Sequence, residues 1–314
     1  MEHSTFTVTA ADGTSLHVNR WLPTAAPKAA VQVAHGMAEH SDRYARFAEA
    51  LTDAGYAVYA ADHRGHKGTA GTHDDEGYWT DKDGWATVVD DLAEVTAAVR
   101  SEQPGLPVVL FGHSMGSFIS RAYAAKHAAA SGERPALTGL VLSGTAGDPG
   151  VLGAVGGGIA ALQSRLRGRR HTSGLMDKLS FGQYNAAFKP TRTDFDWLSR
   201  DPDEVDKYVA DEWCGNVFTA GFYSDLLGGL RAINGDALVS QVPKDLPILV
   251  LSGDKDPVGA NGKGPTAVAE QYRRAGVKDV ELVLYPEGRH EMLNETNRDE
   301  VTADIIGWID RVVA

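Results

Sequence analysis

Short apolar runs alternate along the chain with longer stretches whose apolar residues recur every three or four positions. The first two runs, 6–9 and 16–21, flank Ala11-Asp12-Gly13-Thr14, an Asp-Gly turn signal that favours a β-hairpin. Later runs, at 30–34, 56–60, 108–111, 140–143, 248–252 and 280–285, consist largely of Val, Leu, Ile and Ala. Their lack of regular polar alternation is how strands covered on both faces of a parallel sheet read. Between them, Trp85, Val88, Val89, Leu92, Val95 and Val99 form one stripe of an amphipathic helix over 83–103. Val301, Ile305, Trp308, Ile309 and Val312 do the same near the C-terminus.

Strands alternating with such helices predict βαβ units. The expected fold is α/β: a mostly parallel, eight-stranded, doubly wound sheet with the N-terminal hairpin as one edge. The alternation lapses between 145 and 242. That stretch opens with the Gly-rich apolar segment 151–162, passes through the basic run from Arg165 to His171, and continues as polar sequence studded with aromatics. The pattern predicts a core in two parts, 1–144 and 243–314, with a mainly helical cap, 145–242, inserted between them.

Charge and cysteine content narrow the function classes. Among 314 residues, 30 Lys and Arg stand against 42 Asp and Glu, a net charge of −12. A nucleic-acid partner, which needs clustered cations, is not expected. The single cysteine, Cys214, excludes an intrachain disulfide framework and reads as a packed thiol. No basic-then-apolar leader opens the chain, and 151–162 is too short and too Gly-rich to span a bilayer. A cytoplasmic location is the default expectation, and oligomeric state is left open.

The strongest chemical signal is Gly112-His113-Ser114-Met115-Gly116, directly after one strand and before a helical stretch. That is the context of a nucleophile elbow, a tight turn that presents a serine hydroxyl above a sheet. A serine needs a base, and the base needs an orienting acid. Both follow in the expected order, since one late strand leads into Ser252-Gly253-Asp254-Lys255-Asp256-Pro257 and the next into Pro286-Glu287-Gly288-Arg289-His290. His290 is the candidate base. Asp256 is favoured as the acid because Pro257 stiffens its loop, with Asp254 and Asp148 as alternatives. The oxyanion needs two backbone donors. Met115, after the serine, is one candidate, and Met37, in the loop following 30–34, is the other.

The segment His35-Gly36-Met37-Ala38-Glu39-His40-Ser41-Asp42-Arg43-Tyr44, with Asp62-His63-Arg64-Gly65-His66, the elbow, and the Asp256 and His290 loops, resembles the monoacylglycerol lipase and lysophospholipase-like branch of the α/β-hydrolases. The resemblance spans the whole core. It implies a Ser114–Asp256–His290 triad, an oxyanion hole at Met37 and Met115, and a mobile cap over an acyl tunnel. It further implies hydrolysis of a monoacylglycerol or lysophospholipid without metal or organic cofactor, and places Glu39, Arg43 and His113 at the glycerol end. One departure is Gly65-His66-Lys67-Gly68-Thr69, where the branch has Gly-His-Gly-x-Ser. The cap matches nothing that carries over residue by residue.

Other features have plainer readings. His63, His66, His73, Asp74 and Asp75 crowd one stretch but match no structural zinc spacing. Apolar 151–162 followed by Arg165, Arg167, Arg169 and Arg170 reads either as a lid element contacting a lipid surface, over 151–171, or as a helix packed on the core with its arginines solvated or paired. A serine aminopeptidase would need an acidic patch for a substrate amine, and Asp201, Asp203, Glu204, Asp206, Asp211 and Glu212 are available for one. Acyl transfer to an alcohol needs the same triad.

Overall fold

The computed structural model describes residues 1–128 and 136–314. One sheet runs in the order β1 (Glu2–Thr9), β2 (Ser15–Leu22), β4 (Tyr56–Ala61), β3 (Ala29–Ala34), β5 (Val108–His113), β6 (Gly139–Ser143), β7 (Ile248–Gly253) and β8 (Val280–Tyr285). β1 and β2 form the expected edge hairpin, turning at Gly13 (φ 88°), and β2 is antiparallel to β4. All other pairings are parallel. β1 begins at Glu2, ahead of its apolar run, because an edge strand with one solvated face carries polar residues freely.

The helices follow in chain order: α1 (Ala45–Asp53), α2 (Lys67–Ala70), α3 (Gly84–Glu102), α4 (Met115–Lys126), α5 (Gly150–Arg167), α6 (Gly174–Ser180), α7 (Pro202–Ala210), α8 (Ala220–Ile233), α9 (Asp236–Val239), α10 (Lys263–Arg274) and α11 (Arg298–Val313). They cover the sheet on both sides. Val31, Val33, Val109, Phe111, Val141, Leu249 and Leu251 pack with Phe47 and Leu51 of α1 and Ile305 and Trp308 of α11. Ala30, Leu110, Leu140, Leu142, Ile248 and Val250 pack with Leu92 of α3, Ile119 of α4 and Val268 of α10. Burying a Val or Leu side chain contributes about 1.5–3 kcal/mol, so a strand apolar on both faces is stable only between two helical layers.

Helices α5 to α9 all lie between β6 and β7. α5 rests on α8 through its glycines, where a β-carbon at Gly156 or Gly157 would lie 3.6 Å from Leu227. Among the described residues no helix is long and apolar enough to cross a membrane.

The parallel strands finish nearly in register. Ala34 pairs with Gly112, His113 with Ser143, Ser143 with Leu251, and Gly253 with Tyr285. The loops after β3, β5, β6, β7 and β8 therefore leave the same edge of the sheet, where open α/β sheets bind their ligands.

Candidate active site

Ser114 forms the turn between β5 and α4 with φ 50° and ψ −119°. A non-glycine residue there costs about 1–3 kcal/mol, and only the surrounding structure keeps it in place. A β-carbon at Gly116 would lie 2.0 Å from the Ala34 carbonyl oxygen, and one at Gly112 would lie 2.5 Å from Ser120 Oγ. The turn is tied by the Ser114 N–H donating to Ser143 O and the Ser117 N–H to Ser114 O, both at 2.9 Å. The serine is left partly exposed at the sheet edge.

The loops after β7 and β8 are pressed together. A β-carbon at Gly253 would lie 2.0 Å from Gly288 O, and the Lys255 N–H donates to that oxygen at 2.9 Å. This contact delivers Asp256 to His290, with Oδ1 3.0 Å from Nδ1. The carboxylate, fully buried, also accepts from the Ser252 hydroxyl (3.1 Å) and the Val258 N–H (2.9 Å). Burial opposes a charge on His290, but the Asp256 carboxylate more than offsets this and raises the imidazole pKa above its ordinary value. Asp254 instead accepts the Glu287 N–H at 2.8 Å and so clips the two loops together. Asp148 is exposed and accepts the Gly150 N–H at the start of α5. Neither alternative acid bonds His290.

Gly36 lies against the elbow: a β-carbon there would be 3.3 Å from Ser114 Cβ and 3.3 Å from His113 Cδ2. Met37 follows it, and Met115 is the first residue of α4. Among the described residues neither the Met37 nor the Met115 N–H donates a hydrogen bond. The rings of His113 and His290 lie 4.8 Å apart, with Gly144 beneath them, where a β-carbon would touch both. Burial and the neighbouring His290 push His113 down to about 4, so it is neutral at ordinary pH. Ser114 and His290 share this edge without a hydrogen bond between them, a contact that commonly tightens only when substrate binds.

Glu39 and Arg43 are engaged within the protein. Glu39 accepts from the Gly36 N–H (2.5 Å), the Tyr44 hydroxyl (2.9 Å) and Arg43 (2.6 Å). Arg43 also makes a two-pronged pair with Glu291, at 2.7 Å on each arm. Glu291 is a buried site residue that the sequence reading misses, although it directly follows His290. With His113 these side chains line a cavity of about 20 Å3, room for about one water. Trp197 is the other omission. Its carbonyl accepts the His290 N–H (3.4 Å), and its ring stands 5.1 Å from the imidazole.

The remaining candidates scatter. His63 and His66 are buried against His35, whereas His73 stacks on Trp213 at the surface and pairs with Glu76. The arginines divide. Arg169 pairs with Asp225 and Arg170 with Asp75, while Arg165 and Arg167 remain exposed at the end of α5. Of the acidic residues, Asp201 pairs with Arg298, Glu204 with Arg46 and Lys207, Asp206 with Arg192, and Asp211 with His40. Asp201, Glu204 and Asp206 are thus paired with cations within the chain, and Asp211 with an imidazole.

A family model described as "Serine aminopeptidase, S33" matches residues 25–297. A monoacylglycerol lipase of Mycolicibacterium smegmatis is 31% identical over 293 residues, 92% of this chain and 90% of the relative. A human monoglyceride lipase is 30% identical over 97% of this chain and 88% of the relative. Among solved structures, a highly thermostable carboxyl esterase from Bacillus coagulans in complex with glycerol superposes with a TM-score of 0.91 at 30% identity, covering all of both chains.

Proposed function

Because the chain belongs to the serine aminopeptidase S33 family of α/β-hydrolases and is a carboxylic ester hydrolase, we propose that its substrates are monoacylglycerols, cleaved through an acyl-enzyme on Ser114. The observation that carries the mechanism is the buried His290–Asp256 pair at 3.0 Å, set at the same sheet edge as the strained Ser114 turn. Ser114 Oγ attacks the ester carbonyl while His290 Nε2 takes its proton. Asp256 holds the tautomer and balances the imidazolium. The negative oxygen of the tetrahedral intermediate accepts from the Met37 and Met115 N–H groups, the second at the positive end of α4. The C–O bond then breaks, and the glycerol oxygen leaves with the proton from His290. Water, deprotonated by the same imidazole, attacks the acyl-serine and releases the fatty acid and the free serine.

Glu39 and Arg43 act on the alcohol end indirectly in this reading, since their polar atoms already hold the Gly36–Met37 turn and Glu291. Residues 145–242 form the cap. On α5, Val151, Leu152 and Leu166 are 78%, 85% and 74% exposed, and Leu166 lines a groove of about 510 Å3 with Ile159, Leu162 and Leu175. An exposed apolar strip ending in Arg165 and Arg167 suits an anionic lipid surface, from which an acyl chain enters. Pairing of the acidic cap residues weighs against a peptidase that captures a substrate amine.

The test is turnover of a chain-length series of monoacylglycerols and nitrophenyl esters, with lysophospholipid and an aminoacyl amide alongside. Monoacylglycerol cleavage with an acyl burst, abolished in Ser114→Ala, is expected. Retained turnover in that variant would sink the mechanism, and preference for the amide or the lysophospholipid would sink the substrate.

A further inference from the structure

Three donors of different chemistry converge where the segment between α7 and α8 meets the loop after β3. A ring nitrogen of His40, a carboxylate oxygen of Asp211 and Cys214 Sγ all lie within 4.8 Å of one another. We propose that His40, Asp211 and Cys214 form a binding site for a thiophilic divalent cation, with zinc the best match, that staples this segment to the β3 loop.

The donor set points to such an ion. One imidazole, one carboxylate and one sulfur form a mixed N, O, S site of the kind zinc accepts, and carboxylate-preferring calcium or magnesium does not. Ligands around a tetrahedral zinc stand about 3.4–3.7 Å apart, so the His40–Asp211 pair, now at 2.9 Å, must part by about 0.5 Å while Cys214 Sγ closes in by about 1 Å, both within reach of side-chain torsions. Two of the donors are held by one turn: the Cys214 N–H donates to Asp211 O (3.1 Å), which sets the Asp-x-x-Cys side chains together. Asp211 Oδ1 accepts the Trp213 N–H at 2.9 Å, which leaves Oδ2 facing His40 Nε2, also at 2.9 Å. His40 and Cys214 are buried, whereas the Asp211 side chain is 30% exposed and gives an ion both an entrance and a place for a water as fourth ligand.

The surroundings support the ligands. On the far side of the ring, His40 Nδ1 is 3.8 Å from Asp42 Oδ2, a carboxylate placed to accept the Nδ1 proton once Nε2 is on the metal. Lys67 stands 3.4 Å from Nδ1, but Asp42 pairs with it at 2.8 Å and offsets its charge. The segment is already fastened at this point by the Gly215 N–H and the Tyr208 hydroxyl, which donate to Ala38 O at 3.0 and 2.8 Å.

The proton balance is definite. Binding sends the thiol proton to solvent and moves the His40 proton from Nε2 to Nδ1. One proton is released per ion bound.

The test is a titration of the metal-free full chain with Co2+, followed in the near ultraviolet for thiolate-to-cobalt charge transfer. One equivalent bound, with the band bleached by Zn2+ and one proton released in weak buffer, is the expected result. Cys214→Ser removes the band and weakens zinc binding at least tenfold, and Asp42→Asn weakens it about tenfold. Absence of the band in the wild-type chain at millimolar Co2+, a measurement that needs no variant to fold, overturns the proposal. So does a band that persists undiminished in Cys214→Ser.

Discussion

Asp256 and His290, 34 residues apart in sequence, meet at 3.0 Å because Gly253 and Gly288 let their two loops touch. Removing the charge while keeping the shape, in Asp256→Asn, is expected to lower kcat by about 1000- to 10,000-fold with little change in KM. The pH dependence has a fixed sign. In the proposed mechanism His290 must be neutral to accept a proton, and its folded pKa is raised, so kcat/KM is expected to fall on the acid side at a pKa above the ordinary histidine value. The stability contribution runs the other way. It is fully present below the unfolded histidine pKa and is lost as pH rises through the raised folded one. A pH–rate profile and a melting series check both. An acid limb below the ordinary histidine value would contradict the pairing.

Arg43 lies between two buried carboxylates, Glu39 and Glu291, at 2.6 and 2.7 Å. In Arg43→Met both acids stay buried without their cation, a situation that costs about 3–5 kcal/mol. The exposed Arg311, paired with Asp279 and Glu281 at the surface, is the control, and its substitution by Met costs less than about 1 kcal/mol. Urea midpoints of the two variants separate the effects, and a similar loss in both would refute the distinction.

The sheet is legible in the sequence for a physical reason. β3 and β5 to β7 are buried on both faces, so their apolar runs lack alternation and announce the parallel core. That Ser114, Asp256 and His290 share one edge is legible because each follows such a run, and parallel strands send their following loops to one edge. Glu291 is not, since its meaning lies in Arg43, 248 residues away. Nor is the fate of the arginines. Arg165 and Arg170 sit in one basic run, yet Asp75 neutralises only Arg170, a pairing that follows from where the chain turns after α5. The 151–162 segment shows the same limit. Its composition announces an apolar helix, but not which side chains the helix leaves outside.

Three buried imidazoles are expected to make the fold acid-sensitive. His35 lies 4.4 Å from the His63 ring and 4.9 Å from the His66 ring, and burial lowers the pKa of all three. A depressed folded pKa favours the neutral form, so stability is full above the unfolded histidine pKa and is lost as pH falls below it. Each imidazole contributes up to about 1.4 kcal/mol per pH unit in that window. Among the described residues His66 Nε2 has no hydrogen-bond partner, so His66→Phe removes a titrating group with little polar loss at that atom. The variant's unfolding free energy is expected to fall less steeply with acid, by one proton's worth of slope. An unchanged slope would show that His66 does not titrate on unfolding.

α5 carries glycines where the packing does not require them. A β-carbon at Gly156 or Gly157 would make ordinary contact with Leu227 at 3.6 Å, and one at Gly158 would meet nothing within 4 Å. Gly153 differs, because a β-carbon there would lie 2.2 Å from Pro149 Cβ. Glycine inside a helix costs about 0.5–1 kcal/mol relative to alanine. The triple change of Gly156, Gly157 and Gly158 to Ala is therefore expected to stabilise the helix by about 2 kcal/mol in sum. If acyl chains enter past a yielding α5, the stiffer helix slows turnover of long-chain monoacylglycerols while short nitrophenyl esters are cleaved as before. Melting temperature and the ratio of long- to short-chain kcat/KM test the two halves separately. A raised melting temperature with an unchanged ratio would mean that α5 does not move during catalysis, and acyl entry would then have to lie elsewhere on the cap.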